Sequence, residues 1–180
     1  MKKILFLFSI VALLSQAISC SSSQTYLDKN TVSQLVADKT FTFMAQRANP
    51  LSMDVSKVMS AIPGAVASQV INLDYGYTVV VNKDKLTVNL PFYGRAYNAP
   101  MDPSKNGYSF SSENFTYISK PGKKNSTMLT FYINDKPFIQ KMYLQIYQNG
   151  KAYLSIDSND RQPISYDGYI MKNAANTDKN

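Results

Sequence analysis

The chain has 180 residues, 44% of them apolar and 17% charged, with a formal net charge of +7; that makes one ordinary domain and leaves too little for two large ones. An aromatic fraction of 12% argues against a largely disordered chain. There is no His, no Trp, one Cys and a single Glu among twelve acids, which excludes His-based metal sites, Ser-His and Cys-His catalysis, zinc fingers and internal disulfides.

Lys2 and Lys3 precede Ile4 to Leu14, an apolar run interrupted only by Ser9. Eleven helical residues cover about 16 Å, roughly half of a 30 Å hydrocarbon core. The run therefore has the length of a signal peptide's apolar segment rather than of a membrane span. Ser15-Gln16-Ala17-Ile18-Ser19-Cys20 then resembles a bacterial lipobox, with small residues before the only cysteine. Residues 1–19 are expected to be a signal peptide and Cys20 to carry a thioether-linked diacylglycerol with a further chain on its amine. At about 0.8 kcal/mol per buried CH₂, two or more acyl chains anchor stably where one is marginal. Ordinary cleavage before Cys20 would instead leave a secreted chain with one free thiol. Loss of the leader leaves 161 residues at +5, seventeen bases against twelve acids. Export removes intracellular nucleic acid as a partner, and the remaining charge favours anionic lipid headgroups or polyanionic envelope sugars.

Residues 20–30 read as the lipidated Cys and a polar, Ser-rich tether. A short N-terminal helix follows, capped by Asn30 or Thr31, with Val32, Leu35 and Val36 on one face and an end near Lys39. The chain then alternates: Phe41, Phe43 and Ala45 face one way, and Thr42, Met44 and Gln46 the other. Asn49-Pro50 ends that strand, and residues 51–68 read as a loop with one helical turn, stopped by Pro63-Gly64. Strands are expected over 70–73, 75–81, 86–90, 108–111, 115–119, 128–133, 138–147, 152–156 and 164–171. Residues 91–107, with three prolines, form a structured loop. Asn149-Gly150 is the strongest hairpin signal, with positive φ open to both positions. A polar tail covers 173–180.

Eight to ten short strands at hairpin spacing leave no room for crossover helices. The domain, residues 31–172, is therefore all-β and antiparallel, an up-and-down β-barrel or else a two-layer β-sandwich; sequential hairpins favour the barrel, which leaves no exposed edge.

Leu90-Pro91-Phe92-Tyr93-Gly94-Arg95-Ala96-Tyr97, then Ala99-Pro100, Gly107 and Phe110, and later Asn159-Asp160-Arg161-Gln162 with Ile164-Ser165-Tyr166-Asp167-Gly168, resemble the Bacteroidetes lipoprotein family catalogued as domain of unknown function 4251. The resemblance covers about residues 38–172. It implies a lipocalin-like barrel and an envelope location, and it implies no reaction and no catalytic residues. Ser21, Ser22, Ser23 and Gln24 are uncharged where surface-exported lipoproteins of such bacteria carry acids, which points to the outer membrane facing the periplasm.

The candidate ligand-binding residues are Tyr93, Arg95, Tyr97, Arg161 and Tyr166. Tyrosine and arginine together offer rigid contact area and hydrogen bonds to sugars, carboxylates or phosphates. The same residues would equally serve as a plug closing the barrel, with the rings inside and Arg95 paired to an aspartate. Asp157, Asn159, Asp160 and Asp167 fail the calcium-loop pattern, since Arg161 stands where a ligand belongs. No metal, cofactor or nucleic-acid partner is expected. Three functions stay open: a non-enzymatic binding lipoprotein for a small amphipathic ligand or envelope component, an assembly lipoprotein with a filled core, and a hydrolase of envelope sugars or lipids. A cavity inside the barrel of several hundred Å³ would favour the first.

Overall fold

The computed structural model describes residues 24–50, 72–97 and 106–174. The leader and Cys20, the loop expected over 51–68 and most of the polar tail lie outside them. One helix, α1 (Lys29–Ala37), is followed by nine strands: β1 (Phe41–Pro50), β2 (Thr78–Val81), β3 (Leu86–Leu90), β4 (Tyr108–Ser112), β5 (Phe115–Pro121), β6 (Ser126–Ile133), β7 (Ile139–Tyr147), β8 (Lys151–Ser158) and β9 (Ile164–Met171).

The strands form one antiparallel sheet in the order β4-β3-β2-β1-β9-β8-β7-β6-β5. Every neighbour is a sequence neighbour except β1 and β9, the first and last strands, which pair from Thr42↔Met171 to Pro50↔Ile164. The two ends of the sheet, β4 and β5, are separated by only Glu113 and Asn114. The chain therefore crosses the seam itself: the first half of one long bent strand pairs with β3, and the second half with β6. Hydrogen bonds clasp this corner, with Ser112 Oγ donating to Asp135 Oδ1, backbone Asn134 N to Asn114 O and Asn134 Nδ2 to Asn114 Oδ1. The result is a nearly closed up-and-down barrel rather than a sandwich.

Period-two patterning determines which residues fill it. Val79 and Val81, Leu86, Val88 and Leu90, Met142, Leu144 and Ile146, and Ala152, Leu154 and Ile156 are all buried. With Phe41, Phe43, Phe131 and Tyr166 they form one contiguous apolar cluster. Each large apolar side chain taken fully out of water contributes about 1.5–3 kcal/mol, so this filled interior is the main source of stability. Helix α1 covers one end of the barrel with Val32 buried and Leu35 and Val36 packed on the cluster. Its N-cap is Asp28, whose carboxylate accepts from Asn30 N and Thr31 N at 3.0 Å each. The Thr31 hydroxyl donating to the same carboxylate, together with those backbone bonds, holds the Asp28 carboxyl below its ordinary range.

Four details depart from the sequence reading. The folded domain starts earlier: Tyr26 N and Leu27 N donate to Asn149 O, the Tyr26 ring stacks on Tyr169 at 4.3 Å, and the helix is capped at Asp28 rather than Asn30 or Thr31. Residues 26–30, read as tether, thus belong to the domain. At the other terminus Asn173 is part of the fold too, accepting from Thr42 Oγ1 and donating to Val81 O and Asn82 Oδ1. Of the strand expected over 70–73, the described residues keep one isolated bridge, Asn72↔Arg47. Finally, Gly150 alone has positive φ in its hairpin, where Gly150 N donates to Tyr147 O at 3.0 Å. Two consecutive positive φ values occur instead at Lys124 and Asn125 in the β5–β6 turn.

Candidate functional site

The loop after β3 and the turn before β9 meet at the end of the barrel opposite α1. Backbone bonds stitch them: Gln162 N donates to Arg95 O at 3.0 Å, Tyr97 N to Asp160 O at 2.7 Å, and Ala96 bridges Arg161. Gln162 adds a side-chain bond, Oε1 accepting from Arg95 N at 3.2 Å. The two sequence elements singled out above are therefore one structural unit.

Arg161 lies at its centre, with a side chain only 7% exposed. Its Nε and Nη2 donate to Asp160 Oδ2 at 3.0 and 2.8 Å, and Nη1 donates to Asn106 O at 2.9 Å. The guanidinium plane lies 5.0 Å from the Phe92 ring centre and 4.9 Å from that of Tyr108. Those two rings meet edge to face at 5.9 Å. A planar cation with five donors suits such a place, because its edge satisfies oxygens while its faces pack on rings.

Tyr166 is fully buried, and its hydroxyl donates to Pro91 O at 2.6 Å. Burial, with Tyr108 and Tyr93 nearby, raises its pKa above the ordinary phenol value. Tyr108 is likewise pushed up to about 12, mainly by burial and against the opposing bond to Ser158. Tyr93 is half-buried against the core, its pKa raised by burial and then by Tyr77 and Asp74. Arg95 and Tyr97 are on the exposed side of the loop, Tyr97 at 60%.

The five candidate residues thus come together but do different work. Arg161 and Tyr166 have their polar groups engaged inside the protein, and it is Arg161 that pairs with an aspartate among the rings. Tyr93, Arg95 and Tyr97 form the outer lip. Sequence reasoning missed Asp160 as the partner and Tyr108 as the second ring. No local signal links position 108 to 161, since only closure of the barrel makes them neighbours. Among the described residues, no group of three or more His, Cys, Asp or Glu side chains could hold a metal ion.

A family model described as a domain of unknown function, DUF4251, matches residues 24–170. The chain belongs to the DUF4251 family. A crystal structure of a DUF4251 family protein from Bacteroides eggerthii DSM 20697 is similar to it at 13% identity, with a TM-score of 0.47, covering 80% of this chain and 87% of that one. No curated protein matches it.

Among the described residues of this DUF4251 domain, clefts open near α1 at the margin of the core, touching it at Ala152 in one and at Val32 and Ile146 in another. One, of about 560 Å³, is bordered by Lys124, Tyr147, Asn149, Lys151, Tyr153 and Asp167. The other, of about 520 Å³, lies between α1 and the β5–β6 side of the barrel, bordered by Lys29, Val36, Lys39, Tyr117 and Ser126. They share Asn125, Tyr147 and Gln148.

Proposed function

We propose that this chain is a non-enzymatic lipoprotein of the cell envelope, anchored through acylated Cys20 in the outer membrane and facing the periplasm. Its barrel acts as a rigid platform that binds an envelope component at its outer surface. One observation carries the choice of surface over interior: inward-facing side chains of eight strands form one packed apolar cluster with Phe115 and Tyr117 of β5 packed on it, while both clefts described above open at its margin, touching it only at Ala152, Val32 and Ile146. A barrel that carried an amphipathic molecule inside would need several hundred Å³ of its own volume free. The leader and Cys20 support the envelope location by composition and spacing, and the family description assigns no reaction.

The test replaces Cys20 with Ser in the native host and follows partition into detergent and the mass of the mature N-terminus. Loss of membrane retention, together with loss of the acyl mass from the N-terminal peptide, is the expected result. Unchanged retention of Cys20→Ser, or an unmodified thiol in the parent, would refute the anchor. For the platform, an environment-sensitive apolar dye should show no saturable binding to the folded domain. A single saturable site of high affinity inside the barrel would return the reading to a small-molecule carrier.

A further inference from the structure

The charge of this domain is unevenly placed. Lys29 and Lys39 flank α1, and Lys83 and Lys85 sit in the β2–β3 turn. Lys120, Lys123 and Lys124 crowd the β5–β6 turn, Lys151 opens β8, and Lys172 follows β9. The register puts eight of these at one end of the barrel: Phe41 pairs with Val81, Thr42 with Met171, Lys151 with Tyr169 and Ser126 with Tyr147; Lys85 instead sits at the Glu113 corner, beside the β6–β7 turn. All nine lysines are exposed, and among the described residues the acids at this end are Asp28, Asp38, Asp84 and Asp167, the last on the border of a cleft with Lys124 and Lys151. Over the rest of the described residues, six bases (Arg47, Lys85, Arg95, Lys136, Lys141, Arg161) face five acids (Asp74, Glu113, Asp135, Asp157, Asp160). Four of the five excess positive charges among the described residues therefore belong to the α1 end. Both clefts lie there, each bordered by two of these lysines.

The chain also enters the fold at that end. Tyr26 is fixed on Tyr169 and Asn149, and six residues from Cys20 reach at most about 22 Å. Strands of eight to ten residues rise about 3.3 Å each, so the loop end lies roughly a barrel's length farther from any anchor at Cys20. We infer that the α1 end is a docking surface for an anionic membrane, with Lys29 and Lys39 on one side of the N-terminal segment and Lys124 and Lys151 on the other holding phosphate headgroups. Lysine suits this role, because a flexible point charge follows mobile phosphates without needing a fixed geometry. The orientation rests on the lipoprotein reading, whereas the charge asymmetry stands without it.

The two are separated by using the full chain carrying Cys20→Ser, which can take no acyl group. It is floated with vesicles of phosphatidylcholine alone and with vesicles that also contain phosphatidylglycerol. Preferential binding to the second kind is expected, lost at about 0.5 M salt, where the screening length falls to a few Å. Each lysine near an anionic surface accounts for about a fivefold change in binding, so Lys124→Gln, Lys151→Gln and Lys29→Gln together should weaken it on the order of 100-fold. Lys136→Gln with Lys141→Gln, at the other end, should leave it unchanged. Equal binding to both vesicles, an equal loss from the Lys136 and Lys141 pair, or retention only by a soluble acidic polysaccharide would overturn the inference. An unacylated parent protein would instead remove only the anchor.

Discussion

Replacing Arg161 with Ala removes both bonds to Asp160 Oδ2, the bond to Asn106 O and the packing between Phe92 and Tyr108. Breaking one partner of a buried pair costs about 3–5 kcal/mol, because the other charge stays behind uncompensated. The Asp160 side chain is 22% exposed, but its Oδ1 is buried without a hydrogen-bond partner, so about 3 kcal/mol is the lower bound for the pair. Loss of the ring contacts adds about 1 kcal/mol. For a chain of this size a loss near 4 kcal/mol lowers Tm by about 8–16 °C. Arg161→Lys should recover less than half of it, since one ammonium cannot span Asp160 and the Asn106 carbonyl while stacking on two rings. The double variant Asp160→Asn with Arg161→Met should be clearly more stable than the sum of its single changes, with a coupling above about 1 kcal/mol. Urea unfolding followed by circular dichroism measures each value. An Arg161→Ala loss under about 1 kcal/mol, or strict additivity in the cycle, would refute the claim that this pair fastens the loop end.

Gly168 faces inward opposite Ala45 and Ala152, and a Cβ there would run into the Met44 carbonyl and the Phe43 ring; Gly168→Ala should cost at least about 2–3 kcal/mol in urea unfolding, and a neutral result would mean β1 and β9 can separate freely. Asn173→Ala should lose about 1–2 kcal/mol, since the Val81 carbonyl and Thr42 hydroxyl lose their partner; a chain ending at Lys172 with unchanged stability would show the clasp is idle. Stability should stay flat through neutral pH and fall above about pH 10. Burial raises the pKa of Tyr108 to about 12 and raises that of Tyr166, so the fold favours the neutral phenols. That contribution is complete below the unfolded value near 10 and is lost as pH rises through the folded values, at about 1.4 kcal/mol per pH unit for each group. Tyrosinate absorbance should show this late class appearing together with loss of near-ultraviolet dichroism; titration of all tyrosines near pH 10 in a folded chain would contradict it.

Much of the fold was legible because alternation is a local property. The split of β1 into Phe41, Phe43 and Ala45 against Thr42, Met44 and Gln46 follows from the two-residue strand period alone, and it holds as far as Ala45. Beyond it a register shift between Ala45 and Arg47 brings Ala48 inward. A second shift, between Ile139 and Lys141, buries Ile139 together with Met142, which strict alternation would place on opposite faces. Neither bulge leaves a mark in composition, because each answers to its partner strand. The site was legible in part: the elements around Arg95 and Arg161 stood out, but which arginine would be enclosed depended on Asp160, Phe92 and Tyr108 converging.

By itself, the amino-acid sequence determined that the domain is antiparallel and all-β, that apolar residues at every second position form its core, and that His-based chemistry and internal disulfides are excluded. These follow from residue types and from spacings of two, which act within a few residues. Tertiary structure alone decided that the strand bends at Glu113 and Asn114 to bring the barrel nearly closed, that Tyr26 and Asn173 are held by the fold, and that eight scattered lysines share one end. Each of those facts joins residues tens of positions apart, where backbone pairing and burial, rather than local preference, choose the neighbours.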